Sequence, residues 1–472
     1  MSMLLHRPRP LLLMTLLIFA PGTDGAEDSP LLLGADLSYV NEMEDCGAIY
    51  RADGQNADPY ELFARRGANI VRLRLWHTPT WTKYGTFEDV VRSSRRAEAV
   101  RMHVLLDFHY SDDWADPGDQ IIPKAWQGYR DIDELAEQVY RYTTDTLLAL
   151  HEAGVMPYMV QVGNETNTEI LLRSKVEESH PIDWERNAAL LNAGIVGVAE
   201  AGRLAGQTPK VMLHIAQPEN VEPWFDDAFA AGILDFDVIG ISYYPKWSSR
   251  NLHELGRTIR RIRHKYQKDV ILVETAYPWT LLNNDAAGNI LGEDSLVEEY
   301  PATLSGQSRF LKELTQTVIS SDGSGVVYWE PAWVSSECST RWGKGSHWEN
   351  NTFFDYETTS AHSGFDFLSH SYSLPVAVEF RFKSGNREVT GPFYLRASFL
   401  EGNDFAVKLV PEDGEFRYVA RLPAGSRIQY QLYATPGMEE GLLSGGGTER
   451  DGVISMTVGD DGLVVTESLD VQ

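Results

Sequence analysis

Two glutamates about 110 residues apart each end an apolar, β-branched stretch of the sequence. Glu165 ends Val162-Gly163-Asn164-Glu165, and Glu274 lies in Val273-Glu274-Thr275-Ala276-Tyr277. A carboxylate at the end of a buried strand requires an explanation, because burying an unpaired charge costs free energy. At the strand ends of a β/α barrel, two carboxylates can face each other across a sugar bond. We therefore predict that both glutamates are catalytic, although a solvated or arginine-paired side chain would explain either one alone.

The two carboxyl groups would have different tasks. One must be protonated to assist the leaving oxygen, so its pKa must be raised, whereas the other must stay ionised to attack the anomeric carbon. Arg72, Arg74 and the hydroxyl of Tyr243 are candidates to hold the attacking carboxylate ionised and aligned. A separation of about 5–5.5 Å would predict retention of anomeric configuration, and about 6.5–9.5 Å would predict inversion.

Aromatic and polar residues cluster at the ends of other apolar runs. Examples are Asp107–Trp114, Tyr243–Tyr244 and Trp329–Trp333. Sugars are bound by ring stacking and hydrogen bonds, so these residue types suit a carbohydrate cleft. The sequence has no His-Glu-x-x-His or paired Cys-x-x-Cys motif for zinc and no Gly-x-Ser-x-Gly elbow for an esterase.

These residues must be positioned by eight apolar runs that alternate with helical patterns. The runs are Leu31–Tyr39, Asn69–Trp76, His103–Tyr110, Tyr158–Glu165, Lys210–Ala216, Phe236–Tyr244, Asp269–Tyr277 and Gly325–Trp333. The helical patterns include Phe87–Val100, Asp131–Ala153, Trp184–Ala201, Asn251–Tyr266 and Ser305–Ser320. Eight such units predict an α/β fold, a (β/α)₈ TIM barrel over residues 31–370. A doubly wound open sheet is the alternative, but the first strand lacks its phosphate-binding glycine turn.

After about Ser371 the helical period disappears. Short alternating segments are separated by Gly, Asp, Asn and Pro, which predicts a small antiparallel β-sandwich over residues 371–472. The segments are Val376–Lys383, Phe393–Phe399, Ala406–Leu409, Phe416–Arg421, Arg427–Tyr433 and Val453–Val458. This part contains no Trp, so its tyrosines are candidates for sugar binding, with core packing as the alternative.

The first residues are typical of an export signal. Basic residues precede the apolar stretch Leu11–Ala20, which is too short to span a bilayer, so we predict a signal peptide over residues 1–26. An uncleaved anchor is the alternative. The mature protein is expected to be secreted or periplasmic and to have no membrane span.

Cys46 and Cys338 follow the first and eighth runs, which are neighbours in a closed barrel, so they are predicted to form a disulfide.

The chain of 472 residues carries a formal charge of −27. Such a charge argues against nucleic acid or anionic membranes as partners, because both require a basic surface. A neutral polysaccharide fits better, and we expect a monomer that requires no cofactor.

The loop that contains Asn283, Asp285, Ala287 and Asn289 has oxygen side chains at alternate positions, as a structural calcium site can have. A solvated surface loop is the other interpretation.

Seven motifs, in order, resemble the endo-β-1,4-galactanases of glycoside hydrolase family 53. They are Gly34-Ala35-Asp36-Leu37-Ser38-Tyr39, Val71-Arg72-Leu73-Arg74-Leu75-Trp76, Asp107-Phe108-His109-Tyr110-Ser111-Asp112 with Trp114-Ala115-Asp116-Pro117-Gly118, Val162-Gly163-Asn164-Glu165, Ile241-Ser242-Tyr243-Tyr244-Pro245, Val273-Glu274-Thr275-Ala276-Tyr277-Pro278-Trp279 and Tyr328-Trp329-Glu330-Pro331-Ala332-Trp333. The likeness covers about Leu33 to Leu368 and leaves out the C-terminal part.

The resemblance implies a retaining endo-hydrolase of β-1,4-galactan and type I arabinogalactan. In it, Glu165 matches the acid/base, Glu274 the nucleophile, and Tyr243 the phenol that positions the nucleophile. The implied substrate-binding residues are Arg72, Arg74, His109, Ser111, Asp112, Trp114, Asn164, Tyr243, Trp279 and Trp329. At the calcium loop of some members, Asn283 replaces an Asp and Ala287 a His. Alternative functions are hydrolysis of another β-1,4-glycan, such as mannan or xylan, and glycan binding without cleavage.

Overall fold

Eight parallel strands form a closed barrel at the centre of the molecule. They are β1 (Leu32–Asp36), β2 (Ile70–Leu75), β3 (His103–Phe108), β4 (Met159–Val162), β5 (Lys210–Ala216), β6 (Val238–Tyr243), β7 (Asp269–Thr275) and β8 (Gly325–Tyr328). Each strand pairs with the next in the chain, and β1 also pairs with β8, so the ring is complete. The prediction of a TIM barrel is confirmed.

The computed structural model describes residues 31–340, 343–384, 392–402, 405–412, 414–433, 441–442 and 454–469. Residues 31–472 belong to one compact unit. The predicted signal peptide, residues 1–26, lies outside the described residues, and so does Val453 of the last predicted sandwich segment.

Helices surround the barrel, and six of the eight begin at a residue whose side chain caps the helix. They are α1 (Val40–Asp45), α2 (Pro59–Arg65), α3 (Phe87–Ala99), α4 (Ile132–Glu152), α5 (Trp184–Ala205), α6 (Pro218–Ala230), α7 (Leu252–Tyr266) and α8 (Leu304–Ser320). Short 3₁₀ helices occupy Lys124–Trp126, Glu293–Ser295, Glu349–Asn351, Ser363–Leu368 and Ser398–Leu400. Side chains such as Asp131, Asp183 and Asn251 accept the first free backbone N–H groups of their helices, which stabilises these starts.

The inside of the barrel has an apolar lower layer and a polar upper layer. The lower layer contains Leu32, Ile70, Leu105, Met159, Met212, Val238, Ile271, Val273 and Val327. Side chains two positions further along the strands also point inward, since successive residues of a strand alternate between faces. They include Arg72, Asp107, Gln161 and His214, all buried. The barrel therefore places a group of ionisable and amide side chains on an apolar floor.

Several strands end before the predicted runs do. β4 stops at Val162 and β8 at Tyr328, whereas the predicted runs continued to Glu165 and Trp333. The chain turns sharply there, because Gly163, Glu165 and Glu330 have positive φ angles of 84°, 43° and 49°. Such angles are uncommon for residues other than glycine, and they take the chain out of the extended conformation.

The C-terminal part consists of two packed sheets. Its strands are β9 (Val376–Ser384), β10 (Phe393–Ala397), β11 (Val407–Leu409), β12 (Pro411–Glu412), β13 (Glu415–Leu422), β14 (Arg427–Tyr433), β15 (Gly441–Leu442), β16 (Ile454–Thr457) and β17 (Leu463–Leu469). One sheet has the order β12-β13-β9-β17, and the other β11-β10-β14-β15 with β16 also on β14. The prediction of a wholly antiparallel sandwich needs one correction, since β9 and β17 are parallel. β17 follows β16 of the other sheet, so no hairpin fixes its direction.

The sandwich packs against helix α7 of the barrel. The hydroxyl of Tyr418 hydrogen-bonds to Nδ1 of His264, and Glu401 pairs with Arg257 at 3.2 Å and Arg260 at 2.7 Å. The 3₁₀ helix Ser363–Leu368 precedes β9, which begins at Val376, so these elements bracket the predicted boundary between residues 370 and 371. The boundary itself stays a prediction.

One helix among the described residues, α5, is long and apolar enough to cross a membrane. Half of the most apolar stretch of α5 is buried inside the protein, and the core helix of a soluble protein can have the same length and composition. The absence of a membrane span from the mature protein stays a prediction.

Cys46 and Cys338 are joined in a disulfide, with Cα atoms 5.3 Å apart and a separation of 292 positions in the chain. The bridge connects the segment after β1 to the segment after β8, where the ring of strands closes.

We expect the double substitution Cys46→Ser and Cys338→Ser to destabilise the protein by about 2–4 kcal/mol, because a long loop of the unfolded chain is no longer constrained. Differential scanning calorimetry should show a lower Tm, and wild-type protein treated with a reductant should show the same lower value. An unchanged Tm in both samples would contradict this expectation.

Candidate active site

Arg72 is at the centre of the polar layer and is almost fully buried. Its Nη1 donates to Oε2 of Glu274 at 2.8 Å and to Oδ2 of Asp36 at 3.2 Å. Its Nη2 donates to Oδ2 of Asp107 at 2.8 Å and to Oδ1 of Asn164 at 2.6 Å. The guanidinium thus holds groups from four strand ends in one arrangement, and the three carboxylates raise its own pKa.

Glu274 is turned into the cleft by an irregularity in β7. Ile241 of β6 pairs with Leu272, but Ser242 pairs with Glu274, so Val273 is an extra residue in β7. Such a bulge re-aims the side chain that follows it. Val273 belongs to the apolar floor of the barrel, and Glu274 next to it meets Arg72 above that floor. The hydroxyl of Tyr244 donates to the other oxygen of Glu274 at 3.0 Å.

Glu165 follows β4 on the opposite side of the cleft. Its side chain is partly exposed, and its Oε1 accepts a hydrogen bond of 2.6 Å from Ser242. The backbone at this position has a positive φ angle, and two buried side chains hold it there. The Nε2 of Gln120 donates to the carbonyl of Asn164 at 2.8 Å, and the backbone N–H of Glu165 donates to Nδ1 of His214 at 3.3 Å.

The surroundings of the two glutamates differ in charge. Burial and the neighbouring charge of Glu274 raise the pKa of Glu165 well above its usual range. Burial also raises the pKa of Glu274, but the guanidinium of Arg72 and the hydroxyl of Tyr244 oppose that effect. Glu165 therefore has surroundings that favour a protonated acid, and Glu274 has the partners that stabilise a carboxylate.

An oxygen of Glu165, an oxygen of Glu274 and a ring nitrogen of His214 all lie within 4.8 Å of one another. Three such groups could hold a metal ion, but both ring nitrogens of His214 take part in hydrogen bonds. The short distance between the carboxylates fits the spacing typical of retaining glycosidases and is below that of inverting ones.

Aromatic rings line the cleft on both sides of this pair. The cleft has a volume of about 780 Å³ and includes Asp36, Arg72, Arg74, His109, Trp114, Asn164, Glu165, Tyr244, Trp247, Glu274, Trp329 and Trp348. Trp329 meets Trp348 edge-on with ring centres 4.6 Å apart, and Trp247 is about half exposed. The rings of Trp114, Trp247 and Trp329 are at least partly exposed in this cleft, and such ring faces suit the stacking of sugars.

Arg74 lies in the cleft but does not contact Glu274. Its guanidinium packs over the rings of Trp76 and Trp114 at 4.3 and 4.2 Å and lies 3.6 Å from the buried Glu330. Burial raises the pKa of Glu330 well above its usual range. Of the two arginines considered for holding the nucleophile, Arg72 has that position.

The prediction for Tyr243 was wrong. Its hydroxyl donates to the carbonyl of Arg250 at 3.0 Å, outside the barrel, and the hydroxyl of Tyr244 reaches Glu274 instead. Alternation along β6 explains the difference, because Val238 belongs to the apolar floor and residues 240, 242 and 244 follow it on the inner face.

Replacing Tyr244 with Phe is expected to lower kcat by about tenfold to a hundredfold, because a hydrogen bond to a charged group is lost. Tyr243→Phe is the matched control and should leave kcat within about twofold, while both variants keep the fold by circular dichroism. Equal losses in the two variants would contradict the assignment.

Three further predicted substrate-binding residues lie outside the described lining of the cleft. Asp112 accepts the backbone N–H groups of Thr78 at 3.0 Å and Lys124 at 2.8 Å. Ser111 is buried, and its Oγ accepts the N–H of Asp113. Trp279 is buried against Tyr356 and His362. Asp112 and Ser111 therefore shape the loop after β3, and Trp279 packs the loop after β7.

The side chains of the candidate calcium loop already accept hydrogen bonds from the protein. Both carboxylate oxygens of Asp285 accept backbone N–H groups, from Ala287 and Ser346, each at 2.8 Å. Asn283 accepts from the side chain of Asn289 at 2.6 Å. Calcium prefers six to eight oxygen ligands, and here the one carboxylate already stabilises the turn. These contacts favour a loop that needs no cation, and calcium binding stays a prediction.

A barrel with two opposed glutamates at its carboxyl-end face, inside an aromatic cleft, defines a glycoside hydrolase. The sequence matches the model of glycosyl hydrolase family 53 over residues 32–367. The chain belongs to this family, as its motifs predicted.

Two relatives and one solved structure agree with this assignment. The chain is 50% identical over 365 residues to an arabinogalactan endo-beta-1,4-galactanase of Cellvibrio japonicus. The aligned part is 77% of this chain and 97% of the relative. It is 31% identical over 348 residues to an endo-beta-1,4-galactanase of Bacillus subtilis, covering 70% of this chain and 78% of the relative. The GH53 catalytic domain of Ignisphaera aggregans has a similar structure, with a TM-score of 0.66, 29% identity and coverage of 73% and 97%.

Several residues of the site were not predicted individually as site residues from the sequence. They are Gln120, His214, Ser242, Tyr244 and Trp247. Alternation along β5 and β6 could have placed His214, Ser242 and Tyr244 on the inner face. Gln120 and Trp247 lie in loops, where no periodic pattern gives such a signal.

Proposed function

We propose that this chain is an exported endo-hydrolase that cleaves β-1,4-galactosidic bonds of galactan and type I arabinogalactan with retention of configuration. The observation that carries the proposal is the approach of Glu165 and Glu274 to within 4.8 Å, with different partners on each. The names of the characterised relatives support the substrate.

In the first step the Glu274 carboxylate would attack the anomeric carbon while Glu165 gives its proton to the glycosidic oxygen. The bond between that carbon and the leaving sugar breaks, and a glycosyl ester forms on Glu274. The negative charge on Glu274 is then lost, so the pKa of Glu165 falls and it can take a proton from water. Addition of that water to the anomeric carbon releases Glu274 and leaves the product with its original configuration.

The test uses linear galactan, xylan and mannan in parallel. We expect oligosaccharides from galactan alone, and proton NMR at early times should show the β-anomer at each new reducing end. Products from xylan or mannan at comparable rates would replace the proposed substrate, and initial α-anomers would exclude retention. Galactan binding by calorimetry with no products after long incubation would favour a binding protein.

Export and a monomeric state are parts of the same proposal. The disulfide between Cys46 and Cys338 supports an oxidising compartment. Amino-terminal sequencing of protein from the periplasm or medium should find a start close to residue 27. Light scattering after size exclusion should give the mass of one chain.

A further inference from the structure

Two wholly buried residues, Ser242 and His214, form a hydrogen-bonded chain that ends on the acid/base glutamate. The Oγ of Ser242 is 2.6 Å from Oε1 of Glu165, and Nε2 of His214 is 2.8 Å from the same Oγ. Ser242 is on β6 and His214 is on β5, so rigid strands rather than loops position both groups.

The proton positions in this chain follow from the surroundings of His214. Burial holds the pKa of His214 well below its usual range, so the ring is neutral and has one N–H. Two donors point at Nδ1, namely the backbone N–H of Glu165 at 3.3 Å and Nε2 of Gln161 at 3.1 Å. The Oδ1 of Asn164 is also 3.0 Å from Nδ1, but it accepts from Arg72 at 2.6 Å, whereas the backbone N–H of Glu165 can only donate to the ring.

Nδ1 is therefore the acceptor, and the proton of the ring is on Nε2. This N–H donates to the oxygen of Ser242, which leaves the hydroxyl proton of Ser242 only one direction, towards Oε1 of Glu165.

We propose that Ser242 and His214 are positioning residues that keep Oε1 of Glu165 as a hydrogen-bond acceptor and so place the catalytic proton on Oε2. The inference rests on the proposed two-step hydrolysis. When Glu165 is protonated, the donated hydrogen bond at Oε1 directs its proton to the other oxygen. When Glu165 is ionised, the same bond stabilises its negative charge while Oε2 receives a proton from water.

Other charged groups near Glu165 act in different directions. Glu274 on β7 and Asp116 in the loop after β3 raise the pKa of Glu165, and Arg72 on β2 lowers it. Glu178, in the loop after β4, lines the same cleft. Ser242 differs from these groups because it contacts one particular oxygen of Glu165, so its removal should change both the acid and the base step.

The test compares Ser242→Ala with wild-type enzyme. The hydrogen bond from Ser242 lowers the pKa of Glu165, so its loss should raise that pKa. The alkaline limb of kcat/KM for galactan, where Glu165 loses its proton, should then move to higher pH by about one unit. With 2,4-dinitrophenyl β-galactobioside, whose leaving group needs no acid, kcat at neutral pH should fall about tenfold and KM should fall with it, because the base-assisted second step becomes slower.

Ser308→Ala is the matched control. Ser308 lies on helix α8, is buried, and donates a hydrogen bond to the carboxylate of Asp366. It should leave the pH profile and both kinetic constants unchanged. A Ser242→Ala enzyme with an unmoved alkaline limb would overturn the proposal, whatever its overall activity. If the wild-type enzyme released nothing from galactan, the proposed function would fail instead.

A second measurement needs no variant. Nitrogen NMR of the intact protein labelled at histidine should show His214 with a proton on Nε2 and a bare Nδ1 throughout the pH range of activity. The opposite tautomer would overturn the proposal, because Ser242 would then donate to the ring and not to Glu165.

Discussion

Replacing Glu274 with Ala is expected to lower turnover of galactan by about 10⁴-fold, which corresponds to about 5.4 kcal/mol of barrier. The substitution removes the attacking carboxylate and leaves a space beside Arg72, which donates to one oxygen of that carboxylate at 2.8 Å in the wild type. Azide can fill this space and attack an activated aryl β-galactobioside. The product, identified by NMR, should be the α-galactobiosyl azide, because a single displacement inverts the anomeric carbon.

The corresponding Glu165→Ala variant serves as the comparison. It should still form the ester on Glu274 from the activated substrate, and azide should then attack from the side that Glu165 has left. Two displacements give the β-galactobiosyl azide. An exchange of the two products between the variants would reverse the assigned tasks, and loss of rescue in both would contradict the model of two opposed carboxylates.

Replacing Arg72 with Lys is expected to lower kcat/KM by about 10³-fold and to lower the Tm as well. A lysine has one ammonium group and cannot bridge Asp36, Asp107, Asn164 and Glu274 together, as the planar guanidinium does. Breaking a buried ion pair by removing one partner costs about 3–5 kcal/mol. Kinetics on galactan and calorimetry on the same preparation measure the two effects.

Arg96→Lys separates the two effects. Arg96 also bridges carboxylates, with Glu44 at 2.7 Å and Asp58 at 2.7 Å, but it lies on helix α3 and outside the described lining of the cleft. This variant should lose stability and keep its kcat/KM. If Arg72→Lys lost only stability and kept its kcat/KM, the arginine would have a structural task alone.

The barrel and the approach of the two glutamates could be predicted because both depend on simple periodic signals. Apolar runs that alternate with helical patterns require a parallel sheet covered on its outer side, and eight units are enough to close it. A glutamate at the end of such a run stands out, since the residues before it belong to a core. Glu165 and Glu274 could therefore be chosen without any knowledge of the loops.

The orientation of single side chains near the strand ends was harder to predict. The extra residue Val273 in β7 puts two consecutive side chains on the inner face, and nothing in the sequence marks that bulge. At Tyr243 and Tyr244 the pattern did contain the answer, but the choice of Tyr243 did not follow the alternation from Val238. The positive φ angles of Glu165 and Glu330 depend on contacts between distant segments and have no local signal.

The bond between Cys46 and Cys338 has a consequence for the biogenesis of the protein. Its two sulfurs are 292 positions apart, and the second belongs to the segment after the last strand of the ring. The linkage can thus form only after residue 338 has been synthesised, when all eight strands of the ring are already present in the chain. Production in a host compartment that keeps thiols reduced would yield molecules without this covalent closure.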